Sequence, residues 1–401
     1  MVGTGAPAAT PADAPTAAPD EAAERRDIAR GLRLAVFTDT YAPQVNGVAR
    51  TLERLAEAVR RRGGAVRVVT TGDSAARADP DVVRWPSVPF WGDPHVRIAP
   101  PLLSRARREL LAWHPTVVLA ATPFGVGIAG RAAARGLGTR LVTSYHTHLS
   151  AYARFYGLGA LEPASWRFLR WFHGGGMRTY CPTRAVGDEL ARRGFHDLAL
   201  WSRGVEHARF HPGHRSRARR LAFGAREDTV LVIYAGRLAR EKNLEVALKA
   251  MRVADAALPG RFAFALAGDG PFAARARAQA PSGATFTGRI TGDALSAFYA
   301  AGDVMLFPST TDTFGNVLLE GMASGTAVVA ADAPPTREIL GDGGGVLVAP
   351  DDASAMAGEL VTLALDGARR RALQSAALAA SARFNWDGVF DAFLSDLRAL
   401  P

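Results

Sequence analysis

Cysteine is almost missing from this chain. Cys181 stands alone, so no internal disulfide can form, which fits a reducing compartment such as the cytoplasm. Lysine is nearly as scarce: Lys242 and Lys249 are the only two, and the net charge of +10 is carried almost wholly by arginine. No uninterrupted apolar run approaches the roughly 20 residues that span a bilayer. Residues 1–20 are mostly Ala, Pro and Thr, without a basic n-region or an apolar h-region, and read as a disordered tail rather than a signal peptide. No zinc-ligand framework or basic-aromatic motif accompanies the arginines, so nucleic acid is not an expected partner. The positive balance points instead to phosphates or acidic lipid head groups.

What is present is a steady alternation of short apolar runs and amphipathic helices, the pattern of an α/β fold with mainly parallel sheets covered on both faces. Runs at 32–38, 66–70, 82–84, 116–120, 140–145 and 178–181 predict strands, with helices over 47–62, 101–112, 126–135, 163–172 and 185–193. Residues 204–225 hold Pro212, several arginines and little periodicity, and read as a junction. The alternation then restarts at 229–235 and runs to helices at 353–365, 367–383 and 387–400. The expected organisation is a tail over 1–30, a Rossmann-like acceptor domain over 31–205, and a Rossmann-like donor domain over 206–383. A last helix within 384–401 would pack back on the first domain.

One βαβ unit stands out. Asp303 to Pro308 is a buried strand stopped by proline, a polar loop runs to Gly315, and Asn316 is placed to cap a helix through Met322 that Gly325 closes. Asp312 in the loop and Glu320 in the helix should face one crevice at the helix N-terminus, where two carboxylates accept hydrogen bonds from sugar and ribose hydroxyls. A helix cap and a solvated Glu would leave the same trace. In the loop Ala235-Gly236-Arg237-Leu238-Ala239-Arg240-Glu241-Lys242-Asn243, two cations and free backbone N–H groups would meet a phosphate together.

Other motifs carry less. Gly268-Asp269-Gly270-Pro271 imitates a dinucleotide fingerprint, but it follows the second strand of its half and no acidic residue ends the next strand, which argues against a nicotinamide site. Asp79-Pro80-Asp81 precedes a strand and reads as a surface turn. His207, His211 and His214 are interrupted by Pro212 and Gly213 and lack a fourth ligand, so no metal is expected. The loop from Thr38 to Val48 brings Gly47 to a helix N-terminus, and Thr143 to His148 ends a strand on the same edge. Trp166-Arg167-Phe168-Leu169-Arg170-Trp171-Phe172 mixes aromatics with arginines. It fits an anionic membrane surface, or a core helix with snorkelling arginines.

Taken in order, the Asn46-Gly47-Val48 loop, Tyr145 to His148, Arg203-Gly204-Val205-Glu206, Gly236 to Lys242, Gly268 to Pro271 and Asp312 to Glu320 resemble the retaining glycosyltransferases of family 4. The resemblance implies the GT-B fold, two Rossmann-like domains facing across a cleft, and a nucleotide-sugar co-substrate such as GDP-mannose or UDP-glucose without another cofactor. It implies Arg237, Lys242, Asp312 and His146 as the catalytic set. Gly47, Gly268, Gly270, Phe314, Gly315, Asn316 and Glu320 would complete the donor site, with Glu320 on the ribose. Asp39, Tyr41, Asn46, Tyr145 and His148 would lie on the acceptor side. The family commonly has Glu where this chain has Asp312. The loops beginning at Asp39 and Thr311 are most similar to enzymes that glycosylate diacylglycerol or phosphatidylinositol, which implies a peripheral enzyme on the inner face of the membrane. A soluble or polysaccharide acceptor, or a non-catalytic nucleotide-sugar-binding subunit, are the alternatives.

Overall fold

The computed structural model describes residues 27–44, 46–90, 93–146, 159–341 and 343–401. Strands β1 (Arg33–Phe37), β2 (Ala65–Thr71), β3 (Val82–Trp85), β6 (Val117–Ala120), β7 (Arg140–Ser144), β8 (Arg178–Cys181) and β9 (Leu198–Leu200) form one sheet, ordered β3-β2-β1-β6-β7-β8-β9 and parallel throughout. Between β3 and β6 the hairpin β4 (Val88–Phe90) and β5 (Asp93–Ile98) stands apart as a two-stranded antiparallel unit that the sequence pattern does not announce. The helices of this half are α1 (Gly47–Arg61), α2 (Leu103–Trp113), α3 (Gly125–Gly136), α4 (Glu162–His173) and α5 (Arg184–Arg192).

The second sheet holds β10 (Val230–Ala235), β11 (Phe262–Ala267), β12 (Thr285–Gly288), β13 (Val304–Phe307), β14 (Ala327–Ala331) and β15 (Val346–Val348), ordered β12-β11-β10-β13-β14-β15 and again all parallel. Its helices are α6 (Arg217–Ala222), α7 (Leu244–Ala257), α8 (Ala273–Gln279), α9 (Gly292–Ala301), α10 (Asn316–Ala323), α11 (Pro334–Leu340), α12 (Ala353–Leu365) and α13 (Gly367–Ser381); α14 (Trp386–Arg398) ends the chain. Two parallel α/β domains of this kind constitute a GT-B fold.

The strands read as unbroken apolar runs because both faces are covered. Every residue of β10, β11 and β13 is buried, with alternate side chains feeding two separate cores. Helix α1 follows from its own sequence: Asn46 caps it by accepting the Ala49 N–H, and Leu52, Leu55, Ala56 and Val59 make one buried stripe. Helix α14 belongs to the first sheet's core, where Phe390, Phe393, Leu394 and Leu397 pack with Leu34, Leu52 and Trp201. Buried Arg62 fastens it through Asp391 at 2.6 Å, and Tyr180 through Asp396 at 2.6 Å. The chain therefore crosses between the halves twice, and the crossings touch where Val205 bridges Asn385.

The junction at 204–225 is more ordered than its sequence suggests. Arg215 and Arg220 converge on Asp303 at the start of β13, which fixes α6 against the second sheet.

Candidate active site

In both sheets the strand order reverses beside the first strand, between β1 and β6 and between β10 and β13. A crevice opens at such a switch point, outside the carboxyl ends of the strands. The loops there are the ones singled out in the sequence: 38–46 after β1, 145–146 after β7, 236–243 after β10, 268–272 after β11 and 308–315 after β13.

The 236–243 and 268–272 loops are braided backbone to backbone. Gly236 N–H donates to Ala267 O at 3.0 Å, Leu238 N–H to Asp269 O at 3.0 Å, and Phe272 N–H to Leu238 O at 2.9 Å. Gly268, at φ +141°, is the contact that permits this, since a Cβ there would lie 1.8 Å from the Gly236 carbonyl oxygen. Gly268→Ala is therefore expected to cost at least about 2 kcal/mol and to displace the cationic loop. Gly283→Ala, at φ +79° with nothing within 4 Å, is the matched control with a smaller loss. Chemical unfolding of both variants checks this, and equal losses would refute the collision.

From that loop Lys242 Nζ reaches Asp312 Oδ1 at 2.6 Å, joining the β10 loop to the β13 loop. Arg237 pairs with Glu241 at 3.4 Å, and Glu241 itself is almost wholly buried. The Glu241 carbonyl accepts the Thr311 hydroxyl at 2.8 Å, tying the same two loops a second time.

Glu320 lies on α10 in the same crevice, 8% exposed. Its Oε2 accepts the Tyr299 hydroxyl at 2.9 Å, and its Oε1 lies 3.4 Å from Arg50 Nη1 of the opposite domain. Burial pushes the Glu320 carboxyl up and the Arg50 charge opposes it. Helix α10 does not start as expected. Gly315, at φ +86°, occupies the cap position and Asn316 is the first helical residue, with its Oδ1 buried and unpaired. The Asn316 amide instead faces Gly47, where a Cβ would come within 2.9 Å of Nδ2. An N-cap side chain works from an extended residue just outside the helix, and Asn316 is already inside it.

His146 is placed differently from the role the resemblance implies. Arg203 Nη2 donates to His146 Nδ1 at 2.8 Å, and since arginine cannot accept, Nε2 carries the proton and meets Ser144 Oγ at 2.8 Å. Burial and the Arg203 charge hold the imidazole well below its usual range. Both ring nitrogens are thus engaged within the first domain, and the contact with the other domain runs through the backbone: Thr313 Oγ1 donates to His146 O at 2.9 Å.

Several residues expected at the crevice have side chains turned away from it. Asp39 is buried against the N-terminus of α3, accepting from Thr122 Oγ1 at 2.8 Å and Val126 N–H at 2.9 Å, and burial pushes its carboxyl up to about 6. Tyr41 and Tyr145 lie in the cores of the first domain. Asn46 is spent on capping α1 and on Thr40. Phe314 packs against Phe384 in the core of the second domain. For Asp39, Tyr41, Tyr145 and Phe314 a loop residue next to a strand end takes the inward direction because apolar burial or an orphan helix N–H group is available there, whereas Asn46 caps its helix from the surface. His148 lies outside the described residues. Asp79 and Asp81 form the expected turn, with Asp79 Oδ1 accepting the Asp81 N–H at 2.9 Å and Arg60 bound at 2.8 Å to Asp81. Arg50, Tyr299, Glu241 and Thr313 join the site although the sequence pattern gives none of them a role there. Only Arg50, three positions after Gly47, carried a positional hint.

A family model described as Glycosyltransferase Family 4 matches residues 45–209, and one described as Glycosyl transferases group 1 matches residues 229–366. The GDP-mannose-dependent alpha-mannosyltransferase of Mycobacterium tuberculosis is 32% identical over 316 residues, covering 77% of this chain and 82% of that protein. The alpha-monoglucosyldiacylglycerol synthase of Streptococcus pneumoniae is 29% identical over 326 residues, covering 78% of this chain and 74% of that protein. Among solved structures, Anabaena HepE in complex with UDP and glucose is similar at TM-score 0.73 and 21% identity, over 92% of this chain and 99% of that one.

Proposed function

The chain belongs to glycosyltransferase family 4, and from that premise we propose which hexosyl transfer it performs. It moves mannose or glucose from a nucleoside diphosphate sugar to a membrane lipid of the diacylglycerol or phosphatidylinositol type, with retention and without a metal ion. The observation that carries this reading is the meeting of Lys242 with Asp312 at 2.6 Å, beside the Arg237 loop. A diphosphate entering there takes Lys242 as its counter-ion and releases Asp312 to the hydroxyls of the sugar. As the sugar–phosphate bond breaks, charge grows on the departing nucleotide, and fixed cations stabilise that state more than the ground state. Glu320 accepts the ribose hydroxyls. His146 contributes through its carbonyl, which holds Thr313 and hence the loop bearing Asp312. A closed cleft keeps water from the donor.

The lipid acceptor rests on the alpha-monoglucosyldiacylglycerol synthase relative and on one surface. On α4, Phe168 and Trp171 stack in the open, ring centroids 5.7 Å apart, with Trp171 49% exposed beside Arg167 and Arg170. Aromatic rings with arginines suit an anionic interface. Among the described residues no helix is long and apolar enough to cross a membrane, so a peripheral position on the inner face agrees with this arrangement.

A panel of nucleotide sugars incubated with membrane lipid extract and EDTA, products resolved by mass spectrometry, tests the reading. One donor should yield a glycolipid, and Phe168→Ala with Trp171→Ala should weaken sedimentation with anionic vesicles by about tenfold. Transfer only to water-soluble acceptors would favour the soluble reading, an absolute need for Mg²⁺ or Mn²⁺ would overturn the cation assignment, and donor binding without turnover would leave a binding subunit.

A further inference from the structure

The first turns of α1 and α10 meet across the cleft at two points. Gly47 opens α1 and meets Asn316, which opens α10; one turn further on, Arg50 meets Glu320. Gly47 leaves room for the Asn316 amide, since a Cβ there would lie 2.9 Å from Nδ2. Glu320 is otherwise poorly placed to be an anion. It is buried, which favours the protonated form; the Tyr299 hydroxyl on α9, donating to Oε2, opposes this in part. The other charges facing it are Arg54 on α1 and Arg209 in the junction. Arg54 is paired with Glu206. Of the three arginines, Arg50 alone makes an ion pair with Glu320 among the described residues.

We propose that Arg50 is a positioning residue for donor binding: it reaches Glu320 only when the domains are closed, and keeps that carboxylate ionised and oriented toward the ribose hydroxyls. The proposal rests on the reading of Glu320 as the ribose ligand. Its consequence is that closure and nucleoside affinity are one equilibrium. Separating the domains removes the counter-charge, and loss of an opposite charge favours the protonated carboxyl group, so the open form binds the nucleoside less well. An opposite charge favours ionisation, so removing Arg50 moves the loss of binding to higher pH.

Calorimetric titration of GDP and UDP into the full chain between pH 5.5 and 8.5 tests this, with R50Q, R50K and E320Q beside the unaltered protein. E320Q has no carboxylate to titrate and reports the nucleotide's own protonation, against which the other profiles are compared. With R50Q the affinity should fall about tenfold per pH unit below a midpoint displaced upward from that of the unaltered protein, and R50K should follow the unaltered protein. A profile for R50Q that superposes on the unaltered one, or tighter binding throughout, overturns the proposal. If E320Q binds both nucleotides as well as the unaltered protein, it is the ribose reading that fails. If E320Q weakens binding while R50Q leaves the pH dependence alone, only the role of Arg50 is lost.

Discussion

Lys242→Ala is expected to lower kcat/KM for the nucleotide sugar by about 10²–10³-fold, some 2.7–4 kcal/mol, while leaving the thermal midpoint within a degree or two. Lys242 lies with its ammonium group 2.6 Å from Asp312, both side chains partly open to the crevice. Removing it does two things. The leaving diphosphate loses a fixed cation at the atoms where charge develops. Asp312 also loses its partner and remains as a bare anion beside a polyanionic donor. The second effect can be separated from the first by a double-mutant cycle. Lys242→Ala with Asp312→Asn should recover part of the affinity for nucleoside diphosphate but little of kcat, because neutralising Asp312 relieves repulsion without restoring the cation. Steady-state kinetics on the four proteins, with calorimetric binding of the diphosphate product, reads both quantities. Lys242→Ala activity within about threefold of the unaltered protein would sink the assignment, since no cation at the leaving group could then be worth its usual share.

How much of this was legible beforehand divides along a physical line. The strands were, because β10, β11 and β13 are buried on both faces and must be apolar at every position. The loops at their carboxyl ends followed from the alternation. Which way each loop side chain points did not follow. Asp39, Tyr41 and Phe314 stand in the expected loops, yet each turns inward, Asp39 because α3 offers unpaired N–H groups and the aromatics because a core lies beneath them. The cap of α10 misled for a related reason. Asn is the better local cap, but the left-handed backbone falls at Gly315, where a Cβ would lie 3.1 Å from the Phe307 ring, and Asn316 is already helical with its amide beside Gly47. Contacts made across the cleft, such as Arg50 with Glu320 and Thr313 with His146, join residues far apart in sequence. No periodicity within one domain can announce them, because they depend on how the two domains meet.

The junction is where the largest loss of stability is expected. Asp303 immediately precedes β13 and is 6% exposed. Its carboxylate takes Arg215 Nη2 at 2.5 Å, Arg220 Nη1 at 2.7 Å and the Leu231 N–H at 2.8 Å. Arg215 also donates to the carbonyls of Ala300, Ala301 and Gly302, at 3.2, 3.1 and 3.0 Å, which closes the C-terminal end of α9. One buried carboxylate thus holds the junction, α9 and two central strands together. Asp303→Ala leaves a largely buried guanidinium at Arg220 and a backbone N–H without an acceptor, and is expected to cost about 3–5 kcal/mol. The loss should fall on the second domain, so unfolding followed by two probes should separate into two transitions with only one displaced. Asp303→Asn keeps an oxygen for Leu231 and should cost less. Arg220→Ala in the Asp303→Ala background should add little, because its partner is already gone, whereas the two single losses measured separately should exceed the loss of the pair. At a temperature where Asp303→Ala remains folded, kcat/KM should be nearly unchanged, since none of these groups touches the crevice residues Lys242, Asp312 or Glu320. A loss under about 1 kcal/mol would mean that the arginines find water as readily as they find Asp303, as exposed ion pairs do.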